Sequence, residues 1–302
     1  MDNLTHSLVG AVLGQAGLKR RTGLAMPALI IGANLPDVDA ACFFWLEGVE
    51  HLAFRRGITH GPPAWVLLPL VLAGLLWAFD RWQAKRGRRP EGRLPVHFGW
   101  LYALAFIGCL SHPALDWLNV YGIRLLEPFS SRWFYGDVLF IIDVWLWALL
   151  IGGLWLSRRA EKRGGQWTRI GRNTLGLMGL YLVANFAISE LDRQGNTSFG
   201  ETISSPPPLA FWDRESIGVS GSGPYFINGE KLGNVPLNAC DLDAARAADG
   251  QVEAFLFWSR APVIDRLDDG TYMLGDARYY DPRARDRFSV EVPARFCLEP
   301  RS

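Results

Sequence analysis

The sequence predicts an α-helical polytopic membrane domain of about six membrane segments, followed by a small β-rich soluble domain. Three observations predict it. Apolar runs long enough to enter a bilayer recur through residues 1–190. Basic residues gather in three short clusters between those runs, at 19–21, 81–93 and 158–172. Over residues 191–302 Pro, Gly and Asp become frequent and the apolar runs shorten. The composition of the 302 residues agrees. At 49% hydrophobic and a mean hydropathy of +0.08, the chain is too apolar for an ordinary soluble domain and too polar to lie wholly in a membrane. The net charge of +1 calls for no nucleic acid or other charged partner.

The first apolar segment, 4–18, is Gly-rich and would be only ~22 Å long as a helix, short of a ~30 Å bilayer core, which suits a half-immersed helix. The second, 24–46, is interrupted by Asn34-Leu35-Pro36-Asp37-Val38-Asp39. Pro36 removes a backbone donor and disfavours helix at Leu35, so a break is expected there. Further spans are expected at 62–79, at 97–110, at 138–156 with Asp143 inside it, and at 174–189. In the soluble part, 252–258, 271–274 and 288–292 read as strands.

Placing the three basic clusters in the cytoplasm satisfies the positive-inside rule with six alternating passes, and puts the C-terminal domain outside. Cys42 and Cys109 then lie in spans as inert small hydrophobes, while a Cys240–Cys297 bridge could persist outside. No CxxC pair points to a cysteine metal site. The same topology brings His6, Asn34, Asp37, Asp39, His60, His112, Asp116 and Asp143 to the outer ends of five segments. His97 falls at the opposite end and His51 in a charged loop, so both are expected to be ordinary solvated residues.

Ionisable groups at membrane depth are costly and point to function. Imidazole with carboxylate is a ligand set for Zn, Mn or non-haem Fe, and Zn or Mn is the expected divalent metal. His6, Asp37, Asp39, His60, His112 and Asp116 are the candidate ligands. His112 and Asp116, four apart, share a helix face if Pro113 leaves the helix intact. His60 sits on a Gly-flanked turn, Gly57-Ile58-Thr59-His60-Gly61-Pro62. Asp39, Asp116 and Asp143 are the candidate catalytic carboxylates, Asp143 acting beside a ligand histidine. Asn34, Arg124 and Arg132 are candidate substrate contacts, the arginines as clamps for a phosphate or as headgroup anchors. Three readings stay open: a metal-dependent hydrolase, a transporter or proton relay, and a non-catalytic module with a structural metal. The polar groups gather at one end, whereas a relay would string them across the bilayer.

The stretches Met1-Asp2-Asn3-Leu4-Thr5-His6-Ser7, Ala33-Asn34-Leu35-Pro36-Asp37-Val38-Asp39, Arg56-Gly57-Ile58-Thr59-His60 and His112-Pro113-Ala114-Leu115-Asp116-Trp117 resemble the YdjM-like family of inner-membrane proteins classed as metal-dependent hydrolases. Residues 128–143, Trp258-Ser259-Arg260 and Asp276-Ala277-Arg278-Tyr279 resemble its long form, so the likeness covers most of the chain. It implies a bacterial inner-membrane location and a hydrolase, and names no substrate. The position of the site at the outer interface suits an amphiphilic or periplasmic substrate, and Arg124 and Arg132 point to a phosphoester among the esters. The sequence departs from the family twice: Arg55 stands where His is frequent, and Gly61 where Ser is frequent.

Overall fold

The computed structural model describes residues 1–195, 201–219, 225–281 and 285–298. They form two compact units. The first comprises Met1–Asp39, Arg56–Ala187 and Pro207–Phe211, and the second Ala40–Arg55, Ile188–Pro206 and Trp212–Ser302.

The first unit is helical. α1 (Asn3–Gln15) starts where the Asp2 carboxylate accepts from the amides of Leu4 and Thr5. Its 13 residues extend about 20 Å, too short to cross a bilayer. α2 (Ala25–Gly32) is followed by a 3-10 segment, Leu35–Phe44, bent 51° from it, as Pro36 leads one to expect. α4 (Pro62–Lys85), α5 (Phe98–Trp117), α6 (Val144–Lys162) and α7 (Trp167–Gly195) complete the set, with the short α3 (Glu50–Phe54) belonging to the second unit. Among the described residues three helices, α4, α5 and α7, are long and apolar enough to cross a membrane, or four if the bent pair counts as one span. Leu67, Val71 and Leu75, four apart along α4, are exposed, an apolar stripe suited to lipid.

The core of this unit holds α1, α2 and α5 together. Leu8, Val9 and Val12 of α1 pack with Leu115, Leu146 and Leu150, and Leu29 of α2 packs with Leu72, Leu101 and Leu104. Two glycines set the spacing. A Cβ on Gly108 would lie 2.6 Å from the Leu29 carbonyl oxygen, and one on Gly32 2.7 Å from that of Ala105. The α2 and α5 backbones therefore touch, and the C-terminal end of α2 meets the middle of α5.

The condition set for the His112–Asp116 pair is met, and one expectation changes. Pro113 lies inside α5, which runs on to Trp117, so the His112–Asp116 spacing is helical. Asp143 lies outside its helix, as the N-cap of α6: its Oδ1 accepts from the Leu146 amide at 2.8 Å.

The second unit holds two antiparallel sheets. One has the order β1 (Glu201–Ser205), β2 (Glu215–Val219), β3 (Tyr225–Ile227), β4 (Glu230–Lys231), and the other β5 (Pro262–Arg266), β6 (Tyr272–Asp276), β7 (Ser289–Val292). β6 and β7 lie where strands were expected. Residues 252–258 do not form a strand; they lie in the helix α9 (Gly250–Trp258), which follows α8 (Leu242–Ala248). Asp249 caps α9 through the Gln251 amide, and Val252, Phe255 and Trp258, three apart, are buried. A short apolar run fits either element, and here the cap and the three-residue spacing decide it. Cys240 and Cys297 form a disulfide, while Cys42 and Cys109 are buried and outside any disulfide.

Candidate metal centre

The α2–α5 contact presents the Ala33 carbonyl to His112. Nδ1 of His112 lies 2.7 Å from that oxygen. A carbonyl only accepts, so Nδ1 carries the proton and Nε2 of the neutral ring carries a lone pair. Nε2 faces Asp37 Oδ1 at 3.7 Å and Asp116 Oδ2 at 3.6 Å, both of them acceptors. It is buried and has no hydrogen-bond partner among the described residues, and the same holds for both ring nitrogens of His6. Such an arrangement is repulsive unless something positive lies between the atoms.

His60 is oriented by a relay. The Thr59 hydroxyl donates to Asp39 Oδ2 at 3.2 Å and lies 2.9 Å from His60 Nδ1. Its one proton goes to the carboxylate, so its oxygen accepts from Nδ1–H. The His60 Nε2 lone pair then faces Asp116 Oδ2 at 3.7 Å. His6 Nε2 lies 3.3 Å from Asp116 Oδ1, and its ring stacks on that of His112 with centroids 3.7 Å apart. Two triads result, His6–Asp37–His112 and His60–His112–Asp116, each with its ligand atoms within 4.8 Å of one another. Two ligands of one ion with bonds of ~2.0–2.1 Å lie at most ~4.2 Å apart, so the four imidazole–carboxylate separations of 3.3–3.7 Å fit a shared divalent cation. His6, His60, His112 and Asp116 are at most 1% exposed, and Asp37 is the most open of the five.

The other predicted residues lie around this cluster or away from it. Asp39 belongs to neither triad; it accepts from the Arg56 amide at 2.8 Å as well as from Thr59. Asp143 caps α6 and accepts from the Tyr181 hydroxyl at 2.9 Å, a structural role. Asn34 donates to Ser7 Oγ and to the Ile30 carbonyl, and its buried Oδ1 has no hydrogen-bond partner among the described residues. Arg124 pairs with Glu127 at 3.0 Å and lies over the Trp133 ring. Burial draws the Arg124 guanidinium below its ordinary pKa, against the opposing pull of Glu127. Arg132 is exposed over Phe134. His97 is exposed, as expected of a solvated residue, whereas His51 is half-buried and its ring Nδ1 lies 2.9 Å from the Gly48 carbonyl oxygen.

Arg56 carries a role that sequence reasoning did not assign. Its Nε lies 3.0 Å from Asp116 Oδ2, its Nη1 donates to Asn119 Oδ1 and the Gly122 carbonyl, and its guanidinium covers the Tyr121 ring. The Met1 amino nitrogen lies against the other oxygen of Asp116. The available signal was an Arg directly before the Gly-flanked histidine turn, but no spacing rule ties it to Asp116. The departure at Gly61 has a steric reason. A Cβ there would sit 1.9 Å from the Glu127 carbonyl oxygen, so the turn admits no side chain.

No curated protein and no solved structure matches the chain. Every member of the cluster lies in the stretch 1–191 that matches the YdjM inner membrane protein family, and the chain belongs to that family.

Proposed function

We propose that this inner membrane protein is a metal-dependent hydrolase whose divalent cation is held by His60, His112 and Asp116, with His6 and Asp37 completing the shell. The observation that carries this reading is His112, whose proton is committed to the Ala33 carbonyl while its buried Nε2 faces two carboxylates. When bound, such an ion supplies a Lewis acid and brings a water pKa towards ~7. Asp39, through Thr59, orients His60, and outer partners of this kind typically carry ~10–100-fold in metal affinity. Arg56 balances the Asp116 charge and holds it in place. Asp37, the most open carboxylate, is placed to accept a proton from the attacking water. The positive balance of Arg56 and the ion favours an ester that develops negative charge, a phosphoester foremost. The burial of the ligands supports a second reading, a closed structural site in a non-catalytic module. Metal-stripped protein reloaded with Zn or Mn, assayed on carboxylic and phosphoric nitrophenyl esters in detergent, separates them. Hydrolysis that returns with metal in wild type, and not in Asp37→Asn carrying the same metal content, supports the hydrolase. Full metal loading without turnover leaves the structural module.

For topology, we propose that the three basic clusters face the cytoplasm and that the second unit lies outside. The Cys240–Cys297 disulfide supports the outer placement, because such bonds persist in oxidising compartments. Alkaline-phosphatase fusions are expected to be inactive at Arg88 and active at Gln194. Activity at Arg88 would reverse the orientation.

A further inference from the structure

The end of the helical unit that carries the basic clusters is rich in cations laid on aromatic rings. Its cations stack on tryptophans: Arg21 on Trp100, Arg81 on Trp77, Arg86 on Trp82, Arg159 on Trp155, and both Lys19 and Arg20 on Trp167. Tryptophans and basic side chains are the groups that settle at headgroup level. Within this belt lies a shallow, open depression of ≈ 530 Å³ lined by Lys19, Arg20, Thr22, Glu161 and Trp167, with the first turn of α2 along its side.

The charges of this depression do not cancel. Lys19 pairs with Glu161, which also accepts from Gln15. Arg20 has no carboxylate partner among the described residues; it is exposed and held 4.6 Å above the Trp167 ring. Its side is also held in an unfavourable shape. Leu24 takes a left-handed conformation, φ 62°, which side-chain-bearing residues rarely adopt. No side chain caps the α2 turn that follows it.

We propose that this open depression binds the phosphodiester headgroup of an anionic phospholipid, with Arg20, held over the Trp167 ring, as its charge partner. Basic cavities between membrane helices are suited to such headgroups. The inference is independent of the metal reading, since the depression shares no lining residue with the histidine cluster.

The test uses the full-length protein, purified in a neutral detergent and titrated with phosphatidylglycerol, phosphatidylcholine or inorganic phosphate by native mass spectrometry. Wild type should hold phosphatidylglycerol in clear preference to phosphatidylcholine. Arg20→Gln, on an exposed side chain that the fold does not need, should weaken that binding about fivefold, the Boltzmann factor for one basic residue at an anionic surface. Arg88→Gln, basic and exposed but off the depression, should change nothing. Equal loss in Arg88→Gln would reduce the effect to general surface charge and overturn the site. Displacement of the lipid by millimolar phosphate would overturn the lipid assignment in favour of a free-phosphate site. Indifference between the two lipids would overturn both.

Discussion

Replacing His112 with alanine is expected to abolish metal binding by the purified protein, while His97→Ala retains the wild-type content. His112 is the residue common to both triads, and its Nε2 faces a carboxylate of each. Its removal takes a ligand from any ion that either triad holds. His97 is exposed at the start of α5, where its backbone amide donates to Thr22 Oγ1 and its carbonyl accepts from the Leu101 amide. Thr59→Val should fall between them. It breaks the Asp39–Thr59–His60 relay but leaves every ligand, so a ~10–100-fold loss of affinity is expected. Elemental analysis and a competitive chelator titration measure all three. A His97→Ala loss as large as that of His112→Ala, or a wild type that takes up no ion, would remove the basis of the metal centre.

The second large effect concerns the β-rich unit. Asp276 is buried and accepts from Arg278 Nε at 2.7 Å and Nη2 at 2.8 Å, from Ser259 Oγ at 2.6 Å, and from the amides of Arg260, Ala261 and Arg278. Arg278 is itself buried and lies over the Trp258 ring. Asp276→Ala leaves that guanidinium without its counter-charge, which typically costs about 3–5 kcal/mol. Chemical denaturation of the full chain, followed by proteolysis of the second unit, measures the loss. A change under about 1 kcal/mol would mean that water or another acceptor replaces the carboxylate. The pH dependence has a definite sign. Burial alone raises the Asp276 carboxyl, but the Arg278 charge and the hydrogen bonds from Arg278 and Ser259 outweigh it and hold the carboxyl below the usual range. Its stabilisation is therefore present above the ordinary aspartate value of ~3.9 and is lost as pH falls through the lower folded value.

Much of this was legible in the order of the residues. Pro36 announces the break that separates α2 from the 3-10 segment, because a missing amide acts locally. The candidate ligands were legible because ionisable groups are rare in apolar runs, and because the charge bias of the loops predicts one depth for them. The i,i+4 placement of His112 and Asp116 follows from helical geometry once α5 continues past Pro113. Residues 252–258 were misread because a seven-residue apolar run satisfies strand and helix alike until the Asp249 cap is weighed.

Only the tertiary structure decided which polar groups meet. Asp143 and Asp116 look equivalent in the chain, yet one caps a helix and the other faces three histidines, because α6 begins one residue after Asp143 while α5 carries Asp116 on its inner face. Arg124 and Arg132, eight residues apart in one loop, separate into a buried partner of Glu127 and an exposed side chain. Arg56 meets Asp116 across sixty residues of sequence, and His112 meets the Ala33 carbonyl only because Gly32 and Gly108 let two helix backbones touch. Local chemistry is written in residue order because caps, prolines and periodicity act within a few positions. The pairing of distant groups depends on how closely helices approach, and that distance is set by packing that no short stretch of sequence contains.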